Sequence, residues 1–309
     1  VSTPTETLLS TPFSVSPYQP YAICSGSDGR LWFTTSDVYV GAMTTAGVVS
    51  TYSTPALSGQ GPIVAGPDGN LWILYGYVGV YTDIAQVDTS GTVLNTWNLT
   101  TGLGSLCVGA DGNLYGTSPT TNVLVRITMS GVQTALTVTG AVAFGQAICS
   151  AADGNLMIPR YVLSSVYEVD LTGTLVATYT ASGFDAAGIA LGGDGNYWIS
   201  DDNNVWQMTP SGSFTDFPSS GTHAYYNVVP TGDSIWFTTS TSGDNYAALV
   251  SDYSGDLTQV EITDGTLIYP GGYGSCVGPD GNLYFTDSTN DVIWKVGIST
   301  GGAQIIMML

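Results

Sequence analysis

The chain has 309 residues, of which 43% are hydrophobic and 9% charged, and 24 acidic residues against 4 basic ones give a net charge of −20. The basic residues, Arg30, Arg126, Arg160 and Lys295, stand apart in the sequence; nucleic acids and anionic membrane surfaces require clustered cations, so both are excluded as partners. No apolar run approaches the ~18 residues of a membrane helix, so no membrane insertion is expected, while 40 Gly with 19 Tyr and 7 Trp point to many tight turns around a large core rather than to disorder.

Taken in chain order, one motif returns at a nearly constant interval. It begins as GSDGRLWFT at Gly26, then GPDGNLWIL at Gly66, GADGNLYGT at Gly109 and AADGNLMIP at Ala151. GGDGNYWIS follows at Gly192, a degenerate PTGDSIWFT at Pro230 and GPDGNLYFT at Gly278. The turn positions are Asp28, Asp68, Asp111, Asp153, Asp194, Gly232 and Asp280, a mean period of 42 residues. Each copy carries a second turn glycine further on: Gly47, Gly91, Gly131, Gly173, Gly212, Gly255 and Gly301. Asp-Gly supplies the positive-φ positions of a hairpin. The run after it, such as Leu71 to Leu74, is apolar at successive positions, as in a strand buried on both faces. A third run (Val123 to Ile127, Val166 to Val169, Val292 to Val296) and a fourth (Val48 to Tyr52) complete each copy. Four strands per copy at a period near 40 residues predict an all-β, seven-bladed β-propeller, with four-stranded antiparallel blades around a central channel. Almost no helix is expected, and residues 1–309 form a single domain.

A closed ring must join its ends. Thr5 to Thr11 resembles a fourth strand, and so does Ala303 to Leu309. Residues 1–12 are expected to supply the ring-closing strand of the last blade, with the C-terminal segment beside it or in its place. Cys24, Cys107, Cys149 and Cys276 each lie four residues before the turn position of their own repeat, where the other copies have Val64, Ala190 and Val228. They read as buried thiols acting as small hydrophobes. Disulfides Cys107–Cys149 and Cys24–Cys276 between neighbouring repeats remain open, since repeats 3 and 4, and 7 and 1, adjoin in a ring.

The repeat pattern P-x-x-I-x-x-G-P-D-G-x-L-W-F-T resembles that of the streptogramin lyase (virginiamycin B lyase) family over nearly the whole chain. The resemblance implies a seven-bladed propeller, and an activity that opens a cyclic depsipeptide antibiotic by elimination with Mg²⁺, using histidines and glutamates at the channel mouth. The positions matching the family's histidines are here Tyr21, Gly61, Gly104, Gln146, Ala187, Tyr225 and Tyr273, none of them histidine. Those matching its acidic residue are Thr35, Tyr75, Ser118, Arg160, Asp201, Thr239 and Asp287, with two carboxylates and no glutamate. Elimination needs a general base within reach of the proton to be abstracted, and the sole histidine, His223, lies two residues before Tyr225. It reads as a rim histidine. Asp201-Asp202-Asn203-Asn204 reads as an Asx-rich turn, without the alternating spacing of a calcium loop.

The channel mouth is therefore expected to collect Tyr21, Tyr75, Gln146, Arg160, Asp201, Tyr225, Tyr273 and Asp287. Aromatic faces with a few polar groups suit a sugar, a peptide or a small organic molecule, and Arg160 is expected either to hold an anionic ligand group or to pair with Asp201. No catalytic residue, metal site or cofactor is expected. The sequence thus predicts a non-enzymatic binding or interaction module, exported or at the cell surface and monomeric, with an unknown small molecule, glycan or protein as partner. A diverged carbon–oxygen lyase or a propeller lactone hydrolase is the alternative.

Overall fold

A computed structural model describes residues 11–76, 80–142, 144–145, 147–160, 164–183, 185–201, 204–218, 224–231, 234–240, 246–251, 253, 258–261 and 270–296. All regular structure among them is β-strand. The described glycines of the Asp-Gly turns adopt positive φ, from Gly112 at 75° to Gly154 at 92°, as the hairpin reading requires. The carboxylate before each of them does more than shape the turn. Asp68 accepts hydrogen bonds from the Asn70 backbone N–H (3.2 Å), Asn70 Nδ2 (3.0 Å), Trp72 Nε1 (3.2 Å) and Gln86 Nε2 (2.7 Å). Asp28 and Asp194 receive the indole N–H of Trp32 and Trp198, and Asp111 and Asp280 the phenol of Tyr115 and Tyr284. The aromatic residue four positions after the aspartate thus buries its ring in the blade while its polar tip caps the turn.

The runs after the turns are buried on both faces. Leu31–Thr35 and Leu283–Asp287 are buried at every position, because each is pressed between two neighbouring repeats. The threonine of the W-F-T signature ties those neighbours together. Thr34 Oγ1 donates to the Gly61 carbonyl (2.9 Å), Thr117 Oγ1 to Gly145 (3.1 Å) and Thr286 Oγ1 to Tyr21 (2.8 Å), each on the inner strand of the next repeat.

The strands form six hydrogen-bonded sheets rather than the seven separate blades that the repeat count predicts. Five are four-stranded, for example Gln60–Ala65, Leu71–Tyr75, Tyr81–Val87 and Val93–Leu103. The sixth has eight strands, in the order Thr11–Ser14, Val292–Val296, Leu283–Asp287, Pro270–Val277, Pro20–Ser25, Leu31–Thr35, Tyr39–Met43 and Val49–Ser53. Its two halves are antiparallel, and the last and first repeats meet through a parallel bridge, Ala22 to Tyr273. A Cβ on Gly274 would collide with Thr286 Oγ1 and lie 2.5 Å from the Tyr21 carbonyl oxygen; without one, the two inner strands come close enough to bond.

Thr11–Ser14 pairs antiparallel with the strand Val292–Val296, with Phe13 opposite Ile293. It starts where the predicted strand Thr5 to Thr11 ends; residues 5–10 and 303–309 lie outside the described residues. Phe13 occupies the space a Cβ on Gly47 would take, just as Tyr52 does for Gly91, Trp97 for Gly131 and Tyr179 for Gly212. Each of these rings belongs to an outermost strand and covers the turn glycine of the next repeat, so the N-terminal strand packs as the fourth strand of the last repeat. Tyr52 and Trp97 also stack on the buried Trp32 and Trp72 of their own repeats, with centroids 5.4 and 5.3 Å apart. No described helix is long and apolar enough to cross a membrane.

Candidate functional site

The inner strands of all seven repeats converge on one cavity of about 220 Å³, lined by residues that include Ile23, Ile63, Leu106, Ile148, Ile189 and Val228, with Ser105, Asn227 and Ser275 as its polar side chains. Asn227 Nδ2 and Ser275 Oγ are buried there without a hydrogen-bond partner. Ile23, Ile63, Leu106, Ile148 and Ile189 hold one matched position in repeats 1 to 5 and line the cavity, where repeats 6 and 7 place Asn227 and Ser275.

The hydroxyl of Tyr81, from the third strand of repeat 2, donates to that of Tyr21 at 3.3 Å. Tyr81 was not singled out in the sequence, yet its ring fills the space that a side chain at position 61 would need. The signal available was Gly61 itself, a glycine where the pattern has a larger residue. Tyr75 is half-buried, and its hydroxyl meets Thr96 and the field of Asp83, both on outer strands of its own repeat; burial first and Asp83 second hold its pKa up. Its polar tip is thus directed along the blade, away from the axis.

The two carboxylates are committed to structure. Asp287 is fully buried. Its oxygens accept from the backbone N–H of Thr289 and of Asn290 (both 3.1 Å), from Asn290 Nδ2 (2.7 Å) and from Trp294 Nε1 (3.4 Å). Asp201 is 4% exposed and accepts from Trp206 Nε1 at 3.1 Å. Arg160 differs: its guanidinium reaches Ser165 Oγ at 3.4 Å and lies 4.9 Å from the centre of the Tyr167 ring, and its Nε has no partner. Arg30 and Lys295, by contrast, are paired with Asp28 at 2.6 Å and Asp280 at 2.7 Å. No ion pair joins Arg160 to Asp201 among the described residues. Tyr225 and Tyr273 lie on the inner strands Ala224–Pro230 and Pro270–Val277, at registers Tyr225 to Thr239 and Ala22 to Tyr273. Gln146, His223, Asp202 and Asn203 lie outside the described residues.

The profile of the virginiamycin B lyase family matches residues 7–293. The chain belongs to the virginiamycin B lyase family. Among solved structures, this family member is similar to a streptogramin B lyase, with 19% identity and a TM-score of 0.81, covering 96% of this chain and 100% of that one. It is also similar to a catalytically inactive histidine-to-alanine variant of virginiamycin B lyase from Staphylococcus aureus with quinupristin, at 17% identity and a TM-score of 0.82, over 94% and 99% of the two chains. A third likeness is to the extracellular domain of a hybrid two-component system from B. thetaiotaomicron, at 14% identity and a TM-score of 0.71, over 93% of this chain and 41% of that one. At such identities these likenesses speak for the fold alone. No curated protein matches the chain.

Family membership raises the question of Mg²⁺, which needs near-octahedral oxygen ligation with carboxylate oxygens free to bind. The residues present do not fit it. The two matching carboxylates sit in repeats 5 and 7, on Tyr197–Asp201 and Leu283–Asp287. Both are turned into their own blades by indole and backbone donors.

Proposed function

We propose that this family member is an exported, non-enzymatic binding module that takes a small ligand with an anionic group at the channel mouth. The observation that carries this reading is Arg160, a basic side chain at the end of the strand Leu156–Arg160 that lacks a carboxylate partner among the described residues, with one guanidinium nitrogen unpartnered. Its planar fork matches a carboxylate, sulfate or phosphate in two-point contact. Tyr21 and Tyr81 would offer ring faces and hydroxyls, and the cavity, walled by both apolar and polar groups, would accept the body of the ligand. Tyr225, Tyr273 and Gln146 belong to this proposed mouth by their positions; Tyr75, Asp201 and Asp287 support its walls. Export fits the scarcity of lysine.

Elimination lacks a base in this arrangement, since no matching position carries histidine and both carboxylates accept hydrogen bonds from their own repeats. The test incubates the protein with a streptogramin B and Mg²⁺ and follows ring opening by mass spectrometry, with calorimetric titration of sugar acids and aromatic carboxylates in parallel. The expected result is no turnover, and binding of an anion that Arg160→Gln weakens at least tenfold. Turnover at an enzymatic rate would overturn the proposal in favour of a lyase, and a lactone hydrolysed in the same assay would favour the hydrolase.

A further inference from the structure

The four cysteines are not scattered over the ring. Repeats 1 and 4 both read Ala-Ile-Cys-Ser on the inner strand, at Ala22 to Ser25 and Ala147 to Ser150. Repeats 3 and 7 both read Cys-Val-Gly, at Cys107 to Gly109 and Cys276 to Gly278. In a ring of seven repeats each Cys-Val copy is followed by a Cys-Ser copy: repeat 3 by repeat 4, and repeat 7 by repeat 1.

The structure joins the copies in the same way at both seams. Ser25 Oγ donates to the Val277 carbonyl at 2.6 Å, and Ser150 Oγ donates to the Val108 carbonyl at 2.5 Å. The residue after one cysteine therefore touches the residue after the other. At seam 7/1 the inner strands run parallel with Ala22 beside Tyr273, a register that sets Cys24 beside Ser275 with Cys276 the next residue along. In their own hairpins the cysteines hold one register position, with Cys24 opposite Trp32, Cys107 opposite Tyr115, Cys149 opposite Met157 and Cys276 opposite Tyr284. At the other five seams at least one of the two matched positions is Val64, Ala190 or Val228.

We infer that Cys24 with Cys276, and Cys107 with Cys149, are two inter-repeat dithiols that each close to a disulfide when the chain folds in the presence of a low-molecular-weight disulfide. The chemistry is thiol–disulfide exchange. One cysteine thiolate attacks the small disulfide, breaking its S–S bond, forming a mixed disulfide and expelling one small thiolate. The facing cysteine thiolate then attacks the protein sulfur of that mixed disulfide, forming the inter-repeat bond and expelling the second small thiolate. Two protein thiols are oxidised, one external disulfide is reduced to two thiols, and the two cysteine protons end on them. All four sulfurs are free thiols in the structure. Burial pushes Cys107 and Cys276 up to about 12, and it also raises Cys24 and Cys149, with the facing cysteine as the second cause for those two. Thiolate is the reacting species, so exchange belongs to folding, before the seams shut, and is slow in both directions afterwards. The bond at seam 7/1 would clamp the ring where its ends meet, and the other would clamp the opposite side.

The test refolds the full chain from denaturant in a buffer of oxidised and reduced glutathione, then counts thiols in denaturant without reductant and maps linked peptides by mass spectrometry. The expected result is the loss of all four thiols, with linkages Cys24–Cys276 and Cys107–Cys149 only. The oxidised protein should also melt at least ~5 °C above the reduced one. In a Cys24→Ser/Cys276→Ser variant the Cys107–Cys149 linkage should form unchanged. Four free thiols after refolding to native circular dichroism, or linkages between other cysteines, would overturn the inference. The mass measurement is made on the unaltered protein, so a variant that fails to fold does not shield it.

Discussion

Substituting Phe13 by alanine tests whether the strand Thr11–Ser14 truly serves as the fourth strand of the last repeat. Phe13 packs with Val15, Ile23, Leu31, Phe33, Met43, Tyr284 and Ile293, a cluster that spans the junction of the last and first repeats. Its ring covers Gly47, the role that Tyr52 and Trp97 play for Gly91 and Gly131. A buried Phe→Ala change costs ~3–5 kcal/mol. Phe13 is only half-buried, so about half of that, roughly 2 kcal/mol, is expected. For a chain of this size that corresponds to a fall in Tm of about 4 °C. Thermal and urea melts of the variant, beside Trp97→Ala as the equivalent change within the ring, measure it. If Phe13 closes the ring, the two variants lose stability by similar amounts. A Phe13→Ala protein that melts within a degree of the parent, while Trp97→Ala does not, would mean that Thr11–Ser14 only drapes over an edge closed by other residues.

Two further outcomes follow from the geometry. The carboxyl groups of Asp28, Asp68, Asp111 and Asp280 lie below the usual carboxylate range, because hydrogen bonds from the turn and its aromatic cap outweigh the opposing effect of burial. Each binds its proton less readily folded than unfolded, so the stability is present above about pH 4 and lost as pH falls through the folded values; urea midpoints measured from pH 7 to pH 2.5 should fall steeply only below pH 4, and Asp68→Asn should flatten that fall. Gly61→Ala places a Cβ inside the Tyr81 ring, so it should cost about 2 kcal/mol as an overpacked site, and Tyr81→Ala in the same chain should relieve part of the loss, a coupling that a double-mutant cycle in urea resolves.

Read alone, the sequence determined the repeat, its four strands, the all-β class and the position shared by the cysteines. Those features are written in local chemistry: Asp-Gly at a fixed period, apolar runs after it, and glycine at the positive-φ positions of the repeated turns. Residue types at the matched positions also carry the expectation that the family's histidines are absent. Tertiary structure decided everything that depends on what lies across a seam. Asp201 and Asp287 carry the right charge for a site, yet indole and backbone donors of their own repeats hold them. Tyr75 matches a mouth position, but its hydroxyl finds Thr96 on an outer strand, while Tyr81, from outside the motif, takes the space beside Gly61. The count of sheets changed for a similar reason. Seven repeats form six sheets because the last and first inner strands bond through Ala22 and Tyr273; a repeat pattern records what each copy contains, and the approach of two copies depends on atoms that only their packing brings together.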